Sequence, residues 1–381
     1  MMRGGPIDTD IVLIGGGHAH VHLLTAFAMR PLPGVRLTLI TRDLMTPYSG
    51  MLPGVIAGLY TSEQAHIDLV RLAAATGTRV IHAEAAGLDR ASKRVLLTGR
   101  PPIAYDIVSI DVGIAPALAA IEGAAEYAIA VKPIGSFLSK FNNLIEACRR
   151  PNGPRKVVVI GGGAGGVELL LSVRTRLLQD VPAADFSFAL VTDGEILATH
   201  NPRVRATFRR VFAARGVALY EHQRTRTVTA HAIKFADGES LAADAVLVTT
   251  DAEAPAWFRD IGLDLDAKGF LAVAPTLQAT NDPDVFAAGD CAALASPREK
   301  AGVYAVRAGP PLAENLRRRA RGESLKAWQP QRRHLALIST GERYAVASRG
   351  IFKAEGAWVW TVKDWIDRRW MRMYQVVDDI A

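Results

Sequence analysis

Residues 157–170, VVVIGGGAGGVELL, decide the fold. Four β-formers, Val157–Ile160, run into Gly161-x-Gly163-x-x-Gly166, and a helix-forming run begins at Val167. Physically this is a buried parallel strand turning sharply into a helix. The first glycine permits the turn and the second lets backbone approach a pyrophosphate. The third lets helix pack on strand, and the helix N-terminus faces the phosphate charge. Gly-rich turns also arise for packing alone, so the flanks matter. Here a strand precedes and a helix follows, which favours dinucleotide binding.

A related stretch opens the chain. Ile11–Ile14 is followed by Gly15-Gly16-Gly17-His18-Ala19-His20 and an apolar helix expected over Val21–Arg30. His20 stands where a third Gly or Ala belongs. The next strand, Leu37–Ile40, should end on an acid that meets a ribose. It ends Thr41-Arg42-Asp43, so the acid comes two residues late. After the mid-chain motif, Phe186–Val191 is the corresponding strand, ending Thr192-Asp193. Tyr105–Ile110 and Ala245–Val248 read as further buried strands, and Ile134–Cys148 as a helix. From Pro283 the chain reads DVFAAGDCA, an apolar strand ending in Gly289-Asp290, then a helix over Ala301–Arg318. Thr46–Tyr60, dense in Pro and Gly, reads as a loop. The fold class is α/β, with two nested Rossmann-like dinucleotide-binding domains. The expected division is 1–115 with 256–318 as the outer domain, 116–255 as the inserted one, and 319–381 as a small C-terminal unit.

Bulk properties narrow the function. The 381 residues suit two or three domains, and 49% apolar with 22% charged residues argues against disorder. No apolar run of 18 residues and no signal-like N-terminus occur, so no membrane span is expected. Cys148 and Cys291 form neither CxxC nor a disulfide framework, which fits a cytoplasmic protein. The net charge of +7 is local. Asn315–Ala381 holds 14 Lys/Arg against 7 Asp/Glu, whereas the preceding residues hold 31 of each. A basic tail seeks an anionic surface or a partner, or is a solvated face. It does not make a nucleic-acid binder.

The tail ends in AWVWTVKDWIDRRWMRMY, 357–374. Trp358, Val362, Ile366 and Trp370 recur at four-residue spacing with Trp365 and Met373 beside them, and Lys363, Asp364, Asp367, Arg368 and Arg372 lie opposite. Such a helix lies in a membrane interface or packs its stripe on the body or on a second subunit, as a homodimer would require. His18, His20 and His22 look like metal ligands, but a spacing of two scatters them around a helix, so no metal site is expected.

Two nested fingerprints plus Ala288-Gly289-Asp290 resemble the two-dinucleotide-binding-domain flavoproteins, in the type II NADH dehydrogenase branch. GGGHAHVHLL, TPYSGMLPG, AGVYAVRAGP and WVWTVKDWIDRRWM resemble, more closely, the flavoprotein module fused to or standing beside selenide, water dikinase. The resemblance implies FAD in the outer domain and NAD(P)H in the inserted one. It places Gly15 and Gly17, with His18 and Ala19, at the FAD pyrophosphate, and Arg42 and Asp43 near the adenosine ribose. Pro47, within Thr46–Pro53, and Lys132-Pro133 wall the flavin. Gly113 of Asp111-Val112-Gly113 stands where the family has Ala-Thr-Gly, at a close backbone approach. Gly289 and Asp290 hold the ribityl chain, although Asp290 can also be a helix N-cap. Gly161, Gly163 and Gly166 seat the NAD(P)H pyrophosphate. Glu168 matches the family's acid that points to nicotinamide and flavin. Asp193, with no Arg beside it, leans to NADH. Lys132 either stabilises an anionic reduced flavin or is a surface lysine.

The implied activity is FAD-dependent NAD(P)H oxidation with a small-molecule acceptor, in selenium or sulfur metabolism by association with the dikinase. Quinone-reducing relatives carry glutamines on the helix after Gly-Asp; here 301–307 reads AGVYAVR. Disulfide chemistry needs paired thiols, which are absent, and Cys291 reads as a small buried residue. Two alternatives stand: a membrane-peripheral NADH:quinone oxidoreductase on the cytoplasmic face of the inner membrane, and a flavin-holding regulatory module without turnover.

Overall fold

The computed structural model describes residues 6–182, 184–249 and 252–375. In chain order it opens with β1 (Thr9–Ile14), α1 (His18–Met29), β2 (Val35–Thr41), β3 (Arg79–His82) and β4 (Ile107–Ile110). There follow β5 (Ala128–Ala130), α2 (Ile134–Cys148), β6 (Lys156–Ile160), α3 (Ala164–Asp180), β7 (Ser187–Val191), β8 (Val217–Tyr220) and β9 (Ala245–Val248). Then come β10 (Val285–Ala287), α4 (Gly302–Ala320), β11 (Ala336–Ser339), β12 (Ala345–Arg349), β13 (Phe352–Gly356) and α5 (Ala357–Gln375).

Two five-stranded sheets carry the fold, in the orders β10-β4-β1-β2-β3 and β5-β9-β6-β7-β8. Every pairing in both is parallel. Strands covered on both faces must be apolar at successive positions, which is why Ile11–Ile14 and Val157–Ile160 are continuous runs and fully buried. In each sheet the strand before a glycine turn is central, with the next strand in sequence on one side and a later-arriving strand, β4 or β9, on the other. The registers correspond: Ile14 lies opposite Ile110, and Ile160 opposite Val248. Each sheet is also interrupted in sequence by a three-stranded antiparallel ribbon before its last central partner, at 85–104 and 225–242. The α/β class read from the two fingerprints is the one observed.

Local differences have local causes. α1 begins at His18, three residues earlier than expected, because Gly17 already has the extended N-cap conformation. The 46–60 segment is not all loop. Met45–Pro47 pairs antiparallel with His66–Asp68, and Leu52–Ile56 forms a short helix that tolerates Pro53 in its first turn, where an N–H would have no helical partner.

The C-terminal sheet, β11-β12-β13, is antiparallel. Ile338 and Val346 join the core of the second parallel sheet, whereas Trp370, Met371 and Tyr374 of α5 join that of the first. The tail therefore bridges both halves. Among the described residues no helix is long and apolar enough to cross a membrane.

The face that α5 buries removes one of the alternatives for it, that the apolar stripe packs on the body. The side packed inward carries Val359, Lys363, Asp367, Trp370, Met371 and Tyr374. Of the apolar stripe only Trp370 is inside; Trp358 (60% exposed), Trp365 (55%), Val362, Ile366 and Met373 face outward. The receiving surface explains the inversion, since it is polar. Lys363 Nζ donates to the Gly50 carbonyl (2.6 Å) and to Asp367 (2.7 Å). Tyr60 donates to Asp364 (2.7 Å), Tyr374 meets His22 (3.1 Å), and Gln375 reaches the carbonyls of Glu63 and His66. Hydrophobic periodicity finds the two faces of a helix but not which is inside when the inner surface presents hydrogen-bonding groups.

Candidate functional site

The inner turn, between β6 and α3, divides its work among three glycines. Gly161 has φ of +127°, a conformation open to glycine. A Cβ on Gly166 would overlap the Gly161 carbonyl oxygen, so the third glycine is required for helix to pack on strand. Gly163 has nothing within 4 Å of its missing Cβ, leaving open space at the N-terminus of α3. Backbone N–H groups and an unfilled mouth suit an anion. Asp193, just beyond β7, is exposed, and Gly162 abuts the Thr192 side chain.

The outer turn, between β1 and α1, repeats this geometry with two changes. Gly15 has φ of +93° and packs on the Asp111 carbonyl. His20, in the third-glycine place, is fully buried and fills the gap with its ring: Nδ1 lies 2.7 Å from the Gly15 carbonyl and Nε2 2.8 Å from Ser109 Oγ. A carbonyl only accepts, so Nδ1 carries the proton and Nε2 accepts from the serine hydroxyl. Burial pushes His20 down to about 4, keeping it neutral. The second change is Asp111. Its Oδ2 accepts from Ala19 N (2.9 Å) and His20 N (3.2 Å), and a Cβ at Gly17 or Gly289 would overlap its carboxylate. Asp111 is 3% exposed, and burial raises it to about 7 against the pull of the two amides.

Other expected residues gather nearby. Lys132 Nζ and Asp290 Oδ2 pair at 2.8 Å, joining the turn between β5 and α2 to the turn after β10. His18 packs against both Tyr48 and Trp370 (ring centroids 5.5 and 5.2 Å), which stack on each other at 4.2 Å. Its Nε2 is buried with no hydrogen-bond partner among the described residues, and burial lowers its pKa to about 4. Pro47 is half-buried on the short ribbon beside this cluster. Arg42 and Asp43 are exposed and paired with each other at 3.0 Å, with Glu84 also on Arg42. Gly113 is exposed, and no protein atom lies within 4 Å of its missing Cβ, so the space beside it is open.

Glu168 lies in the second turn of α3. Its Oε1 accepts from Ser339 N on β11 at 2.7 Å, so it ties α3 to the C-terminal sheet. Burial raises it to about 7, opposed by Lys363 and the Ser339 amide, with Asp367 adding to the rise. Burial works against the Lys363 ammonium, yet Asp367 and Glu168 hold its pKa above the ordinary value. Tyr48, whose hydroxyl faces Asp367, is pushed up by burial and that carboxylate. Lys363, Asp367 and Asp111 escaped the sequence reading as site residues. Only Asp111 left a trace there, as a departure from Ala-Thr-Gly.

Cys148 and Cys291 are separately buried. The Cys291 thiol, pushed up to about 12 by burial, donates to the Ala288 carbonyl (3.1 Å) and is inert.

Comparison with known proteins fits this geometry. The chain is 26% identical over 330 residues to NADH dehydrogenase-like protein YutJ of Bacillus subtilis (strain 168), covering 84% of this chain and 86% of that protein. It is 27% identical over 226 residues to ferroptosis suppressor protein 1 of Xenopus tropicalis, covering 53% and 58%. Among solved structures, the sulfide:quinone oxidoreductase from the hyperthermophilic bacterium Aquifex aeolicus has a TM-score of 0.81 at 16% identity, over 97% of this chain and 92% of that one. NDH2 from Plasmodium falciparum in complex with NADH has a TM-score of 0.75 at 14% identity, over 97% of both. These two structures are similar in fold alone. Residues 9–318, which span both parallel sheets and both glycine turns, match the family described as pyridine nucleotide-disulphide oxidoreductase, and the chain belongs to it.

Proposed function

We propose that this chain is an FAD-dependent NAD(P)H oxidoreductase of the NADH dehydrogenase-like kind, with FAD at the outer turn and the nicotinamide cofactor at the inner one. The observation that carries it is the Lys132–Asp290 pair, which brings the β5–α2 turn of the inner unit against the Gly289-Asp290 turn of the outer one. The orphaned His18 Nε2 and the open N-terminus of α3 support polar occupants at both turns. Bound FAD would supply hydride acceptance from NAD(P)H and two-electron delivery to an acceptor.

The chain's own residues position and shield these groups. Gly15 and Gly17, with the His18 and Ala19 backbone, form the seat for the FAD pyrophosphate, and Arg42 with Asp43 lies toward the adenosine ribose. Asp290 would accept from the ribityl hydroxyls of bound FAD, and Lys132, paired with it, would keep a positive charge beside the flavin. Gly113 leaves room for a close approach by the cofactor. Gly161, Gly163 and Gly166 form the NAD(P)H turn. Asp193 supports NADH over NADPH, and Arg205 and Arg209 are held by ion pairs to Glu195 and Glu221. Glu168 carries a titratable proton next to Lys363 and positions the C-terminal sheet on α3.

The first test is an absorbance spectrum followed by anaerobic mixing with NADH and then NADPH. Rapid bleaching of a bound flavin band, faster with NADH, is the expected result. A protein that neither holds nor takes up FAD sinks the proposal, and a band that neither donor bleaches leaves the flavin-holding regulatory module. The acceptor screen then sets sulfur and selenium species, suggested by resemblance to the dikinase-associated module, against quinones.

A second, membrane-peripheral proposal rests on α5. Trp358, Val362, Trp365, Ile366 and Met373 form an outward apolar strip, with Arg369 over the Trp365 ring and Arg372 exposed. That combination suits an anionic lipid surface. Sedimentation with anionic vesicles at low salt is expected, weakened about tenfold by Trp365→Ala. Absence of sedimentation, with dimer found by ultracentrifugation, would assign the strip to a second subunit.

A further inference from the structure

The two glycine turns superpose in logic, so each position of one can be set against the other. β4 ends at Ile110 opposite Ile14, and β9 ends at Val248 opposite Ile160; Asp111 and Thr249 are the next residues. Likewise His20 corresponds to Gly166. In the inner turn the partner at this place is a neutral hydroxyl, Thr249 Oγ1, which donates to the Ile160 carbonyl (3.2 Å) and leaves the helix amides alone. In the outer turn it is a carboxyl group that accepts from the amides of Ala19 and His20, the second and third helical residues. The same carboxyl fills the volume between Gly17 and Gly289. The anion cradle of α1 thus already holds an acid of the protein's own.

We propose that Asp111 makes FAD binding proton-linked: the pyrophosphate is seated against α1 as Asp111 takes one proton from solvent. This rests on FAD occupying the outer turn. An ionised Asp111 and a pyrophosphate would compete for the same helix N-terminus and repel across it. The protonated carboxyl keeps its carbonyl oxygen for the two amides and gains an O–H that donates to a phosphate oxygen.

Among the described residues no neighbouring cation relieves the conflict. From α1, His20 and His18 are both held near 4 by burial and stay neutral. From the 289–291 turn, Asp290 adds negative charge and the Cys291 thiol stays protonated. Lys132 is committed to Asp290 at 2.8 Å, and Lys300 to the Ala292 carbonyl at 2.7 Å. With Asp111 itself raised to about 7, the proton is available in the neutral range.

The test is FAD titration of the flavin-stripped full chain by fluorescence and by calorimetry in two buffers of different ionisation enthalpy. Wild-type Kd is expected to rise about tenfold per pH unit above about pH 7.5, with about one proton taken up per FAD at pH 8. Asp111→Asn, which keeps the amide acceptor and adds a donor, is expected to bind with no such slope and more tightly than wild type at pH 8. An affinity flat from pH 6.5 to 9 with equal calorimetric heats in both buffers overturns the proposal, as does an unchanged slope in the variant. If the variant does not fold, the wild-type buffer comparison decides by itself. Failure to bind FAD at any pH removes the FAD assignment instead, and this inference with it.

Discussion

Lys363→Met is expected to be among the most destabilising single substitutions in the chain, by about 3–5 kcal/mol, the usual cost of stranding one member of a buried ion pair. The Lys363 and Asp367 side chains are only 10% and 6% exposed. Removing the ammonium leaves the Asp367 carboxylate without its cation and the Gly50 carbonyl without its donor. The penalty should grow with pH. Glu168, raised to about 7 by burial, contributes stability that is complete below its unfolded value and is lost as pH rises through that number. Above it, the variant holds two carboxylates where wild type holds a cation between them. Denaturant melts at about pH 5.5 and 8.5 measure the difference, and protease cutting ahead of α5 locates it. Replacing both partners, Lys363→Met with Asp367→Leu, should recover most of the loss, because an apolar pair of similar volume has no charge to strand. A single variant losing less than about 1 kcal/mol would mean that the pair is hydrated in solution and does not seat α5.

Gly166→Ala has the second large expected effect, on hydride delivery. The new methyl would meet the Gly161 carbonyl oxygen and lie 2.8 Å from Thr249 Oγ1, and neither the backbone nor a side chain on a central strand end can yield freely. Helix α3 must move off β6, at a cost of about 1–3 kcal/mol for overpacking. The N-terminus of α3 moves with it. A displacement near 1 Å at a positioning element is expected to slow NADH-dependent flavin reduction about 100-fold while FAD stays bound at the outer turn. Stopped-flow bleaching of the flavin band gives the rate, and the absorbance of the purified protein gives the FAD content. Gly165→Ala is the stability control, since nothing lies within 4 Å of its missing Cβ and alanine favours a helix. Equal reduction rates in Gly166→Ala and wild type would place the nicotinamide away from this turn.

Much of the architecture was legible because it is written locally. A strand buried on both faces is a continuous apolar run, and a strand-to-helix turn at a nucleotide site needs glycine at fixed offsets. Val157–Ile160 with Gly161, Gly163 and Gly166 satisfies both within ten residues. Ile134–Cys148 emerges with the boundaries its periodicity indicates. The late Gly289-Asp290 turn was visible too, because it follows an apolar strand directly.

What remained hidden depends on partners far apart in sequence. Asp111 caps a helix that begins 93 positions earlier, and His20 reads as a flawed fingerprint until Ser109 and the Gly15 carbonyl are seen to satisfy it. Helix α5 shows the limit most clearly. Its sequence determined that it would be an amphipathic helix, since 3.6-residue periodicity is a property of the chain alone. Only the tertiary structure decided which face went in, because that choice turns on Gly50, Tyr48, Tyr60 and His22. Those groups present hydrogen-bonding atoms, and burying Lys363 and Asp367 against them leaves fewer polar groups unsatisfied than burying the tryptophans would.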